Sequence, residues 1–127
     1  MTLEEFIDEL ESNLTSKSLK LPCFLCNEFG TTRVYFKTAK IDNNHKVIVF
    51  IGSLKKGDQV ETSKLHNACK HNLAKCANYK VGVSTDSKQS LNGKFNIVDQ
   101  VTSVECTGKT CTVYFDDEGV INSIYDK

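Results

Sequence analysis

Apolar residues return at intervals of three and four at the start of the chain, as Leu3, Phe6, Ile7, Leu10 and Leu14. That is the spacing of a helix with one buried face. Thr2 and Glu5 stand where a capping box needs a hydroxyl and, three residues on, a carboxylate. The pattern predicts a helix over residues 2 to 15, with Glu4, Glu5, Asp8, Glu9 and Glu11 on its solvent side. Acids near a helix start also suit its dipole.

The period then shortens to two. Over residues 31 to 38, Val34 and Phe36 point one way and Arg33, Tyr35 and Lys37 the other. A polar turn at residues 41 to 45 leads to the run Val47, Ile48, Val49, Phe50 and Ile51. A strand apolar on both sides belongs in the centre of a sheet, covered on both faces. A glycine-bounded loop at residues 52 to 58 precedes a second helical stripe, Leu65, Cys69, Leu73 and Cys76, within residues 60 to 78.

Three further strands are predicted at residues 79 to 84, 95 to 105 and 110 to 115, and a short last one at 120 to 125. Residues 85 to 93 read as a polar loop. The expectation is a single α+β domain with a mostly antiparallel sheet of about five strands. It has an N-terminal helix and a second helix between strands 2 and 3.

Composition adds little to that class. The chain has 127 residues, 39% hydrophobic and 25% charged, ordinary for one globular domain with its own core. The longest apolar run is far too short to span a bilayer with a helix. The acidic start is unlike a signal peptide, so the expected location is cytoplasmic, with no membrane partner. Met1 is the sole methionine, and a removed leader or a longer parent chain is compatible with such a start.

Charge is more informative in its distribution than in its total, which is zero. Residues 1 to 30 carry six acids and two bases, 31 to 94 carry four acids and twelve bases, and 95 to 127 carry six acids and two bases. Within the basic middle, Arg33, Tyr35 and Lys37 share a strand face, Lys55 and Lys56 sit in the loop, and Lys64 and Lys70 decorate the helix. These seven are the candidate partner-binding residues. A protein partner is the favoured reading. Nucleic acid is the alternative, since cations with an interleaved tyrosine suit a phosphate backbone and a stacked base. Against it, only one of the sixteen basic residues is arginine, the side chain best built for fixed phosphate recognition.

The six cysteines supply the remaining candidates. Cys23 and Cys26 have the Cys-x-x-Cys spacing of a zinc half-site. Cys106 with Cys111, or His66 with Cys69 in the second helix, are the candidates for the second half, which makes zinc the alternative to an expectation of no cofactor. Cys106 and Cys111 flank Thr107, Gly108, Lys109 and Thr110, a hairpin turn across which a disulfide would form in an oxidising compartment. Gly-Lys-Thr here is no phosphate loop, because the upstream glycines are missing and a strand follows where a helix would be needed. Redox chemistry at Cys23 and Cys26 lacks a following helix to lower a thiol pKa. A cysteine nucleophile with His45, His66 or His71 as base is the enzymatic alternative. The favoured function is a small non-catalytic module, regulatory in character, that binds another protein.

Overall fold

A computed structural model describes residues 1 to 85 and 98 to 116. Among these described residues two α-helices, α1 (Leu3–Asn13) and α2 (Thr62–Cys76), accompany six strands. The strands are β1 (Cys23–Asn27), β2 (Arg33–Asp42), β3 (Val47–Ser53), β4 (Lys80–Thr85), β5 (Asp99–Cys106) and β6 (Cys111–Asp116). They close into a barrel in the order β1-β2-β3-β4-β5-β6.

The α+β class is therefore right and the sheet expectation is corrected. The barrel is mixed: β1 runs parallel to β6 and β3 parallel to β4, while the other four pairs are antiparallel. The added strand is β1, over residues for which the sequence pattern predicted no strand. Its presence puts α2 between the third and fourth strands. The strand expected at residues 120 to 125 and most of the loop expected at 85 to 93 lie outside the described residues.

The chain order is one unit used twice, a helix followed by three strands. In each unit the strand before the last hairpin carries a bulge, between Phe36 and Thr38 in β2 and between Val101 and Ser103 in β5. The residue preceding each helix bridges to the opening of the other unit, Thr2 to Lys80 and Glu61 to Pro22. Asn13 donates to the Glu9 carbonyl at 2.8 Å, and Asn72 to the Ala68 carbonyl at 2.7 Å. The two halves are thus related by an approximate two-fold.

Both helices close the end of the barrel where β1, β3, β4 and β6 begin. The expected capping box is present, with Thr2 and Glu5 bonding each other's backbone. Leu3, Phe6, Ile7 and Leu10 enter the barrel core beside Leu65, Cys69 and Cys76 of α2. Phe6 meets Phe50 with ring centroids 5.1 Å apart, and Phe36 meets Phe50 edge-on at 5.9 Å. β3 is buried on both sides, as its unbroken apolar run requires. Ile48 and Phe50 face the core, while Val47, Val49 and Ile51 form a second cluster with Val98.

One acid expected in solvent has a structural task. Glu9 accepts from the Val104 N–H at 2.8 Å, and Asn13 donates to the Val104 carbonyl at 3.4 Å. Among the described residues β4 pairs with β5 through Gly82–Gln100 and Val83–Asp99, and α1 takes up a further part of the β5 edge. Glu9→Ala should cost about 1–3 kcal/mol, the usual penalty for orphaning a part-buried donor. Urea unfolding checks this; an unchanged midpoint would mean water replaces the carboxylate.

A second link joins the helices. Glu11 accepts from His66 Nε2 at 2.9 Å and lies 3.4 Å from Lys70 Nζ. The bond from His66, and more weakly Lys70, hold its carboxyl below the usual carboxylate range against the opposing effect of desolvation. A depressed folded-state pKa adds stability above the unfolded value and loses it as pH falls through the folded one. The melting-temperature difference between wild type and Glu11→Gln should therefore shrink below about pH 4.5. A constant difference down to about pH 3 would contradict the pairing.

Candidate functional site

Alternation along β1 puts Cys23 and Leu25 into the core and turns Phe24 and Cys26 outward. On β2 the outward residues are Arg33 and Tyr35, and on β6 they are Thr112 and Tyr114. Strand register then builds two rows across the outer wall. The first is Tyr35, Phe24, Thr112 and Glu105; the second is Arg33, Cys26, Tyr114 and Ser103.

The rows meet in a small aromatic patch. Phe24 and Tyr35 pack at 5.1 Å between ring centroids, and the Arg33 guanidinium carbon lies 3.8 Å above the Phe24 ring. That contact orients the cation while leaving its donors at the surface. Phe24, Tyr35 and Tyr114 are half-buried and Arg33 is exposed. The opposite wall differs: there Val47, Val49 and Ile51 are at most 2% exposed.

Charges flank the patch with opposite sign. Arg33 and Lys37 lie on the β2 side, Glu105 and Asp116 on the β5–β6 side. Lys37 is 3.9 Å from Asp58, whose carboxylate also accepts from the Ser53 hydroxyl. Among the described residues neither Arg33 nor Glu105 has an ion-pair partner.

The seven candidate partner-binding residues therefore fall into groups. Arg33, Tyr35 and Lys37 share the outer face of β2 as expected, and Lys55 and Lys56 stand exposed in the loop after β3, beside Leu54. Lys64 and Lys70 are on α2, with Lys70 engaged by Glu11. Sequence reading missed Phe24, Tyr114 and Glu105. No strand was expected over residues 23 to 27, and the cysteines flanking Phe24 drew attention to thiols. The Lys55→Ala/Lys56→Ala double variant should change stability by no more than about 0.5 kcal/mol. A larger loss on thermal melting would mean that these side chains are packed.

The four metal candidates do not converge. A three-residue step along a strand sends Cys23 and Cys26 to opposite faces, with Cys23 in the core and Cys26 Sγ donating to the Asn27 carbonyl. Cys106 and Cys111 are joined as a disulfide across the β5–β6 hairpin. Among the described residues no group of three or more His, Cys, Asp or Glu is placed to hold a metal ion. The four sulfurs are thus not one tetrahedral set.

Thiol chemistry finds little support in the interior either. Burial, and secondarily the neighbouring Cys69, push the Cys23 pKa far up; burial pushes Cys69 up to about 12. Both stay protonated near neutrality and are poor nucleophiles. His66 is bonded to Glu11 and His45 to Asp42, so these rings are engaged by carboxylates.

The chain finds no match among known protein families, curated proteins or solved structures. Among the described residues no helix is long and apolar enough to cross a membrane.

Proposed function

We propose that this is a small non-catalytic module, regulatory in character, that binds another protein chain through the outer wall formed by β2, β1 and β6. The observation that carries this reading is the patch of Phe24, Tyr35 and Tyr114 with Arg33 set upon it. Tyrosine, phenylalanine and arginine are the side chains enriched at protein interfaces, where few of them supply most of the binding energy. No cofactor takes part in this reading.

The charge layout favours protein over nucleic acid. Lys37 and Lys70 are occupied by Asp58 and Glu11, and Glu105 and Asp116 border the aromatic residues. A phosphate backbone would meet acids along one side of that wall. The Cys106–Cys111 disulfide persists where the surroundings are oxidising, whereas in a cytoplasm the same two residues would be thiols.

Affinity capture from a lysate of the source cells tests the reading. Tagged wild type should retain at least one protein, independently of nuclease treatment, that the Phe24→Ala/Tyr35→Ala variant of equal fold content loses. Identical capture by both would contradict it. Nuclease-sensitive, salt-sensitive retention of RNA or DNA would instead support the nucleic-acid alternative.

A further inference from the structure

We infer that the β2 edge beside α2 is a binding site for a carboxylate, the side chain of an acidic residue carried by a partner protein. The site lies apart from the aromatic wall and does not depend on the reading of that wall.

The two-fold between the halves of the chain shows what the site is matched to. Thr2 and Glu61 hold equivalent places before the two helices, as Asn13 and Asn72 do within them. At the same offset Glu9 of α1 is answered by Ala68 of α2. In the strands the matching bulges set Val104 of β5 against Ala39 of β2, each just past the irregularity. The Val104 N–H donates to the Glu9 carboxylate at 2.8 Å. Ala39 has no such acceptor, because the Ala68 side chain stops at its Cβ.

The Ala39 N–H nevertheless points to that place. The Lys80 N–H donates to the Lys46 carbonyl at 3.1 Å, so by alternation Ile48 and Phe50 also turn their main-chain polar groups toward β4. Ala39, opposite Phe50, is then a non-hydrogen-bonded partner and turns its own groups away from β3. Among the described residues β1 pairs with β2 at Arg33, Val34 and Tyr35 and stops short of Ala39. What packs there is α2, and its Asn72 amide stays on the Ala68 carbonyl at 2.7 Å. Among the described residues no side chain accepts from the Ala39 N–H, a main-chain donor that an incoming acceptor would satisfy.

The surroundings carry the complementary charge. Lys64, His71 and Lys75 share a stripe of α2 with Ala68 at helical spacing. All three are exposed, and none has an ion-pair partner among the described residues. The acids ahead of α2 are engaged: Asp58 by Lys37 and Ser53, Glu61 by Ser63. A main-chain N–H flanked by unpaired cations gives a carboxylate a charge-assisted bond in a favourable field. Glu9 shows in cis that a carboxylate fits this geometry.

Titration of the isotope-labelled full chain with hexaglutamate peptide, followed by amide NMR, is the test. The Ala39 amide should move downfield and saturate. Lys64→Glu should weaken binding by at least about tenfold. Ala68→Glu supplies the acid from the chain itself: its Ala39 amide should be downfield before any peptide is added, its melting temperature should rise, and hexaglutamate should no longer move that resonance. The Phe24→Ala/Tyr35→Ala variant should bind hexaglutamate as wild type does.

The inference is overturned by the absence of a saturable shift at Ala39, or by hexaglutamate binding that is unchanged in Ala68→Glu. An equal response to inorganic tripolyphosphate would also overturn it, reducing the site to general attraction of anions. Loss of hexaglutamate binding in the Phe24→Ala/Tyr35→Ala variant would move the contact to the aromatic wall. Failure at Ala39 leaves the reading of that wall standing, since capture dependent on Phe24 and Tyr35 tests it separately.

Discussion

Phe50→Asp should leave no cooperatively folded protein. Phe50 is fully buried, contacts Phe6 of α1 and Phe36 of β2, and so ties the helical plug to the strand wall. Truncating such a ring costs about 3–5 kcal/mol through lost packing. An unpaired carboxylate in its place adds several more. The sum reaches the whole stability of an ordinary domain, about 5–15 kcal/mol. Leu10→Asp acts on the same core from α1 and should have the same outcome. Phe50→Leu keeps an apolar side chain there and should still fold, with a lower melting temperature. Far-UV circular dichroism with urea titration reads all three; a soluble Phe50→Asp chain with a sharp transition would contradict the core as described.

Gly52→Val is the second large effect, and it arises from too little space. A Cβ on Gly52 would lie 2.4 Å from Val34 Cγ2 and 3.3 Å from Leu25 Cδ1. Val34 is 3% exposed, and its branched side chain has little rotamer freedom with which to retreat. Gly52→Ala should therefore cost about 1–3 kcal/mol, and Gly52→Val more. Val34→Ala removes the obstructing methyl groups. Combined with Gly52→Ala it should cost less than the sum of the two single changes, a coupling that a double-mutant cycle measures directly. Additive costs would mean that the strain lies elsewhere.

The parts of this fold that were legible in the amino-acid pattern are those fixed by local chemistry. The capping box of Thr2 and Glu5 announces α1, and the five-residue apolar run announces β3 as a doubly covered strand. What stayed hidden depends on partners distant in sequence. β1 is only five residues long and follows Pro22, so its period is too short to declare a strand. Its parallel partner β6 lies far along the chain. Barrel closure is a property of such pairings, which no window of sequence contains.

The site shows the same division. Arg33, Tyr35 and Lys37 were readable as one face because alternation within β2 is local. Joining them to Phe24 and Tyr114 needs two interstrand registers. Lys64 and Lys70 were grouped with them through nearness in sequence, whereas α2 belongs to the plug. Glu9 was assigned to solvent by helix periodicity alone, and its bond to Val104 spans 95 positions of chain.

Whether the β2–β1–β6 wall is covered by protein can be read most directly by hydroxyl-radical footprinting. Oxidation of Phe24, Tyr35 and Tyr114 would be followed in dilute purified chain and again in concentrated source-cell extract. The account predicts that these three become protected together, while Phe29 and Leu54, 65% and 81% exposed elsewhere on the surface, react equally in both. Unchanged oxidation of the three aromatic side chains in the extract would contradict it.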